Sequence, residues 1–195
     1  MRVTKGRNTL STTASALLAV VLGLSLGSSR AKAGSPPPYE ARTGLDLATA
    51  AAQVWATDAV LIYLENDEPI DGVGAAERWG YLFYSESLDQ SRSYSVRDGK
   101  IVVARNLDMR FEAPPLASGW IDSHAALEVA DKNVGFEFCK KQGGRLSTML
   151  LMRGAFQDEH PDQTTWTVIY TAPHAPALFV MVDATAGKVR RTWRG

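Results

Sequence analysis

Residues able to do metal or nucleophilic chemistry are few and far apart in this chain. Three histidines, His124, His160 and His174, and one cysteine, Cys139, are its whole stock of strong nitrogen and sulfur ligands. No two histidines lie within a turn of each other and a lone thiol has no partner, so no zinc site is expected. The densest oxygen clusters are Asp158-Glu159-His160-Pro161-Asp162 and Glu65-Asn66-Asp67-Glu68. Neither has the Gly-bearing pattern of a calcium loop, so both read as solvated turns, and no metal or cofactor is expected. A Ser/His/Asp triad meets only in space, so spacing does not rule one out. Yet the chain has no Gly-x-Ser-x-Gly elbow, phosphate loop or dinucleotide fingerprint, and no residue is assigned a catalytic role. Cys139 sits in Gly135-Phe136-Glu137-Phe138-Cys139 and reads as a small buried hydrophobe.

Charge narrows the partners. The formal charge of +0 conceals an N-terminus in which residues 1–33 carry five bases and no acid. Without them the chain has 16 basic against 21 acidic side chains, a net charge of −5. That sign argues against nucleic acid or an anionic membrane surface as partner. The basic start (Arg2, Lys5, Arg7), the apolar run Ala16–Leu26 and the small pair Ala31 and Ala33 follow the layout of a secretory signal peptide. Cleavage is expected after Ala33. The apolar run is about half of the roughly 20 residues that a membrane span needs, so no span is expected in the mature chain. No Cys follows it to take a lipid anchor. The expected location is therefore periplasmic or extracellular.

The elements that would position any site follow in order. Residues 34–44, beginning Gly34-Ser35-Pro36-Pro37-Pro38, read as an extended linker. Leu45–Trp55 reads as an amphipathic helix, with Leu47, Ala51 and Val54 or Trp55 as its apolar stripe. Val60–Leu64 and the aromatic Arg78–Ser85 read as strands. Asp98-Gly99 is a two-residue turn signal within a hairpin over Tyr94–Val103. Residues 111–119, with Pro114 and Pro115, read as a second linker. A helix is expected from about His124, with Ala126, Val129, Ala130 and Val134 inward and Gly143-Gly144 as its stop. Strands follow at Leu146–Arg153, Thr164–Tyr170 and Ala177–Asp183, with a turn at Gly187 before Val189. The last of these is a continuous apolar run and is expected to be buried on both faces.

Trp79 and Trp166 stand 87 residues apart, and Gly99 and Gly187 stand 88 apart, in similar places in the two halves. The offsets predict a duplication and an α+β fold of two α-β-β-β repeats, each a helix packed on an antiparallel sheet. Residues 45–110 form the first repeat and 120–195 the second. One helix covers one face of such a sheet, so the other face is expected to be buried between the halves.

Residues Ile121–Arg191 resemble the PepSY domain, on Ala125-Ala126-Leu127-Glu128-Val129-Ala130 at the helix start and Val182-Asp183-Ala184-Thr185-Ala186-Gly187-Lys188-Val189 at the end. Ala186 stands where that family often has Thr. Residues 45–110 resemble it more faintly, through Arg97-Asp98-Gly99-Lys100-Ile101. The resemblance implies an extracytoplasmic module that binds or restrains proteins, such as a peptidase inhibitor, with no shared catalytic residues. Asp98, Gly99, Asp183 and Gly187 read as structural turn residues. The expected partner is an extracytoplasmic protein or peptide, captured along the last strand by Arg190, Arg191, Trp193 and Arg194. The alternative is a small-ligand carrier or enzyme with a cavity between the two sheets.

Overall fold

The structure, a computed structural model, describes residues 37–107, 113–154 and 162–195. The signal segment with its cleavage point, residues 108–112 at the expected repeat boundary, and His160 with Asp158 and Glu159 lie outside the described residues. The chain runs α1 (Leu45–Trp55), β1 (Val60–Asn66), β2 (Arg78–Ser85), β3 (Gln90–Arg97) and β4 (Lys100–Asn106). Next come α2 (Ser123–Ala130), a π turn (Asp131–Gly135) and α3 (Phe136–Gln142). It ends with β5 (Arg145–Arg153), β6 (Thr164–Ala172), β7 (Ala175–Asp183) and β8 (Lys188–Arg194).

All eight strands join one antiparallel sheet in the order β4-β3-β2-β1-β5-β6-β7-β8. This overturns the expected pair of α-β-β-β repeats with separate sheets. Four strands follow each helical segment, and β1 pairs with β5 so that the inner edges close on each other. The halves lie side by side in one layer rather than face to face, so neither buries the other's second face. A strand-to-strand seam satisfies two rows of backbone groups that separate sheets would have left as edges.

The helices pack on a single face. Residues directly opposite in an antiparallel ladder share a face, so the registers sort the side chains. Trp79, Tyr81, Phe83, Tyr94 and Val96 line the helix side, as do Met149, Leu151, Trp166, Val168, Tyr170, Val180 and Val182, and all are buried in one cluster. Trp79 and Trp166 meet edge to face at 6.3 Å, and Trp120 meets Trp166 at 5.9 Å. Each strand tryptophan also pins the segment leading to a helix, through Trp79 Nε1 to the Tyr39 carbonyl and Trp166 Nε1 to that of Ile121, both at 2.8 Å.

The bulk of those aromatics decides which side of α1 goes inward. Ala48 and Ala52 are fully buried, while Leu47 is 38% and Val54 89% exposed. The expected stripe of Leu47, Ala51 and Val54 is thus rotated by about one position. Only a methyl-sized surface fits closely against Tyr81 and Tyr94, whose hydroxyl donates to the Ala51 carbonyl. The second helical segment also departs from a regular rod. A Cβ on Gly135 would overlap the Tyr170 ring, and the Tyr170 hydroxyl donates to Asp131 Oδ1 at 2.6 Å. The π turn opens the helix where this tyrosine enters.

The β1–β5 seam is short: its register runs only from Tyr63↔Met152 to Glu65↔Leu150. Beyond it β5 slips register at Ser147, and the Asn66 side chain bridges the gap. Asn66 Oδ1 accepts from the Met149 amide at 2.7 Å, and Nδ2 donates to the carbonyls of Glu68 at 2.9 Å and Ser147 at 3.4 Å. Asn66→Ala should cost about 1–3 kcal/mol, because it strands partly buried backbone groups. Urea unfolding measures this, and a change under about 0.5 kcal/mol would show that the carboxamide does not hold the seam.

Candidate functional site

At one margin of the sheet, β8 pairs with β7 alone. Asp183 and Gly187 build the turn between them. Asp183 Oδ1 accepts from the amides of Thr185 at 2.9 Å and Ala186 at 2.8 Å, and Gly187 takes φ +62°. A Cβ there would meet no atom closer than 3.9 Å, so the left-handed backbone, not space, favours glycine. At the opposite margin Asp98 (φ 50°) and Gly99 (φ 61°) make the β3–β4 turn with both central residues left-handed.

The ladder shows which groups of β8 face outward. Gly195 and Ala177 exchange both backbone bonds, at 2.9 and 3.1 Å. Pairs alternate along an antiparallel ladder, so Trp193↔Phe179 and Arg191↔Met181 are also bonded pairs. The amides and carbonyls of Thr192 and Arg194 therefore point away from β7.

The expected partner-binding residues do not form one patch. Arg191 and Trp193 lie on the face away from the helices, with Arg191 5.2 Å from the Trp193 ring and Trp193 stacked on Phe179 at 5.0 Å. Arg194 lies on the helix face, 4.2 Å over the Phe138 ring. Arg190 sits where the β7–β8 register slips, and it turns to Asp183 Oδ2 at 3.5 Å. Beside Arg194 a cleft of about 220 Å³ opens, lined by Phe138, Val134, Lys141 and Gln142 among others.

Other candidate groups are tied into the scaffold. His124 Nδ1 lies 2.9 Å from the Val73 carbonyl, which can only accept, so Nδ1 carries the hydrogen and clamps α2 to the 71–75 loop. This contact borders a wider cleft of about 540 Å³, with Tyr39, Glu40 and Asp122 also on its wall. Asp122 Oδ1 already accepts from the amides of Ser123 at 2.8 Å and Arg42 at 3.1 Å. His174 is exposed in the β6–β7 turn. Burial pushes the Cys139 thiol up, with a further push from Asp131, away from the reactive thiolate. Among the described residues no His, Cys, Asp and Glu side chains group in threes to hold a metal.

The polar run Glu65–Glu68 is not the solvated turn expected of it. Glu65 and Asn66 belong to β1, and the Tyr63 hydroxyl donates to Glu65 Oε2 at 2.7 Å. Asp67 folds over Gly80, where a Cβ would lie 2.6 Å from Oδ1, and accepts a hydrogen bond from Ser95. Arg78 reaches Asp67 at 3.6 Å and Glu68 at 3.3 Å, and Arg97 bridges Glu68 at 3.3 Å to Glu77 at 3.1 Å. Burial raises both the Glu65 and the Asp67 carboxyl above the usual range. A signal existed in the sequence: Gly80, a glycine in a strand of large aromatics, marks a close approach by another group.

No family model matches the chain, so the PepSY resemblance gains no support there, and no curated protein matches it either. Among solved structures, the crystal structure of a putative lipoprotein from Clostridium difficile 630 is similar, with a TM-score of 0.52 at 14% identity. The match covers 83% of this chain and 95% of that one. At such identity the likeness is one of fold.

Burial raises Glu65 above its ordinary value of 4.5, so the folded state prefers the neutral acid. The stability this lends is complete below the unfolded value and is lost as pH rises through the folded one. Glu65→Gln should therefore melt higher than the parent at pH 7, with the difference shrinking toward pH 4. Thermal melts across that range check it, and a variant less stable than the parent at pH 7 would show that the carboxylate is held ionised.

Proposed function

We propose that the mature chain is an extracytoplasmic, non-catalytic binding protein that takes an extended segment of another protein as a ninth strand on β8. The observation that carries this reading is the outward row of amides and carbonyls at Thr192 and Arg194, on a strand with a neighbour on one side only. Peptidase restraint, which the PepSY resemblance implies, is one use of such capture, since an inhibitor can hold a segment of its target in extended form. Location rests on the signal-like layout of residues 1–33. The described residues contain no helix long and apolar enough to cross a membrane. A ligand cavity between two sheets has no counterpart among the described residues, whose strands form one sheet.

Proline at Thr192 tests the reading, because it deletes an outward N–H and leaves the β7 ladder intact. With a photo-crosslinking side chain at Arg191, the full chain should give a discrete adduct in its own cell envelope. Thr192→Pro should cut that adduct at least about tenfold while the melting temperature moves by no more than about 2 °C. The same crosslinker at Val54, exposed on α1, should give no matching adduct. An adduct that survives Thr192→Pro would overturn strand addition, and turnover of an envelope substrate by the purified chain would overturn the non-catalytic reading.

A further inference from the structure

If β8 accepts a strand, its charges specify what kind, and this inference rests on the function proposed above. The strand carries Lys188, Arg190, Arg191 and Arg194 and no acid, on a chain whose residues after 33 sum to −5. Arg190 is engaged by Asp183, whereas Lys188, Arg191 and Arg194 are exposed. The opposite margin, β4, carries Lys100 and Arg105 and likewise no acid. Pairing of β8 with the β8 or β4 of another copy would set cations against cations, so a second copy of this chain is a poor occupant.

Geometry then sets the spacing. Arg194 stands on the helix face, over Phe138 and beside the 220 Å³ cleft. Arg191 stands on the other face, beside Trp193. Partner residues opposite positions 194 and 191 are three apart, and in an extended strand residues three apart point to opposite faces. The residue opposite Arg194 would share its face and stand at the cleft. The one opposite Arg191 would stand on the far face, beside that guanidinium. We infer that β8 selects an extended peptide with two acidic side chains three residues apart, the first held by Arg194 at the Phe138 cleft and the second by Arg191. Two acids spaced by two would fall on one face and meet only one of these arginines.

Three fluorescent nine-residue peptides of Thr and Val test this, one with Glu at positions 3 and 6, one with Glu at 3 and 5, and one with Lys at 3 and 6. Anisotropy against the full mature chain should rank the first tightest, by roughly tenfold over the lysine peptide at low salt. That preference should fade at 1 M salt, where charge is screened within about 3 Å. The double variant R191E/R194E should reverse the order and favour the lysine peptide. Its circular dichroism should match the parent, since neither arginine makes an ion pair with a described carboxylate in the fold. Equal affinities for all three, lost together on Thr192→Pro, would overturn the acidic pattern and leave strand addition standing, with the cations serving only to guard the edge. Equal binding by the two Glu peptides would overturn the three-residue spacing. Failure of every peptide to bind would overturn the inference outright, and the crosslinking result at Arg191 would decide separately whether β8 is a docking edge at all.

Discussion

Pairing of β1 with β5 is the constraint on which the rest of the architecture depends. It joins two four-stranded runs into one layer, and it does so through a register that spans only Tyr63 to Glu65. Asn66 lengthens the seam with side-chain bonds where the β5 register slips. Across the helix side, Trp79 and Trp166 lean on each other over the same seam, so backbone and core are closed at one place. The large rings there dictate the small residues opposite, which is why α1 turns alanines inward and leaves Val54 in solvent. Closing the inner edges also leaves the sheet with two outer ones, β4 and β8. A binding mode that needs a strand edge therefore has those two places to use.

Charge is distributed unevenly over this frame. Near the seam, on the face away from the helices, carboxylates and guanidiniums are partly sequestered: Glu65 with a phenol, Asp67 with Ser95 and Arg78, Glu68 between two arginines. Around β8 the charges are single-signed and solvated, with Lys188, Arg191 and Arg194 exposed. Desolvated ion networks of the first kind hold geometry at a cost in stability, whereas exposed cations cost the fold little and act on what approaches. The contrast separates a structural cluster from a recognition surface within one sheet.

Local features were legible in the sequence where local chemistry decides them. The limits of α1, the Asp98-Gly99 and Asp183–Gly187 turns and the buried run of β7 all follow from propensity, turn conformation and apolar pattern. What escaped was decided at a distance. Nothing near Glu65-Asn66 marks those polar residues as strand, because their partners lie at Leu150, Ser147 and Met149 on β5. The matched Trp and Gly spacings suggested separate sheets because spacing is blind to which edge meets which. The inward face of α1 could not be read without knowing that Tyr81 and Tyr94 stand opposite. For β8, position and charge were legible, but the slip that takes Arg190 out of the row and the division of Arg191 from Arg194 depend on register.

The π turn at Asp131–Gly135 makes the far end of α3 sensitive to insertion and deletion. A π turn holds one residue more than an α turn would, and each residue of a helix turns it by about 100°. Loss of one residue there would restore regular winding and swing everything beyond it by that angle. Phe138, now against Tyr170 at 6.3 Å and beneath Arg194, would leave both. The floor of the cleft beside β8 is thus set by a count of residues seated over Tyr170, in another element altogether. Lineages that drift in length within this helix would reshape the margin of the sheet without changing a single residue in it.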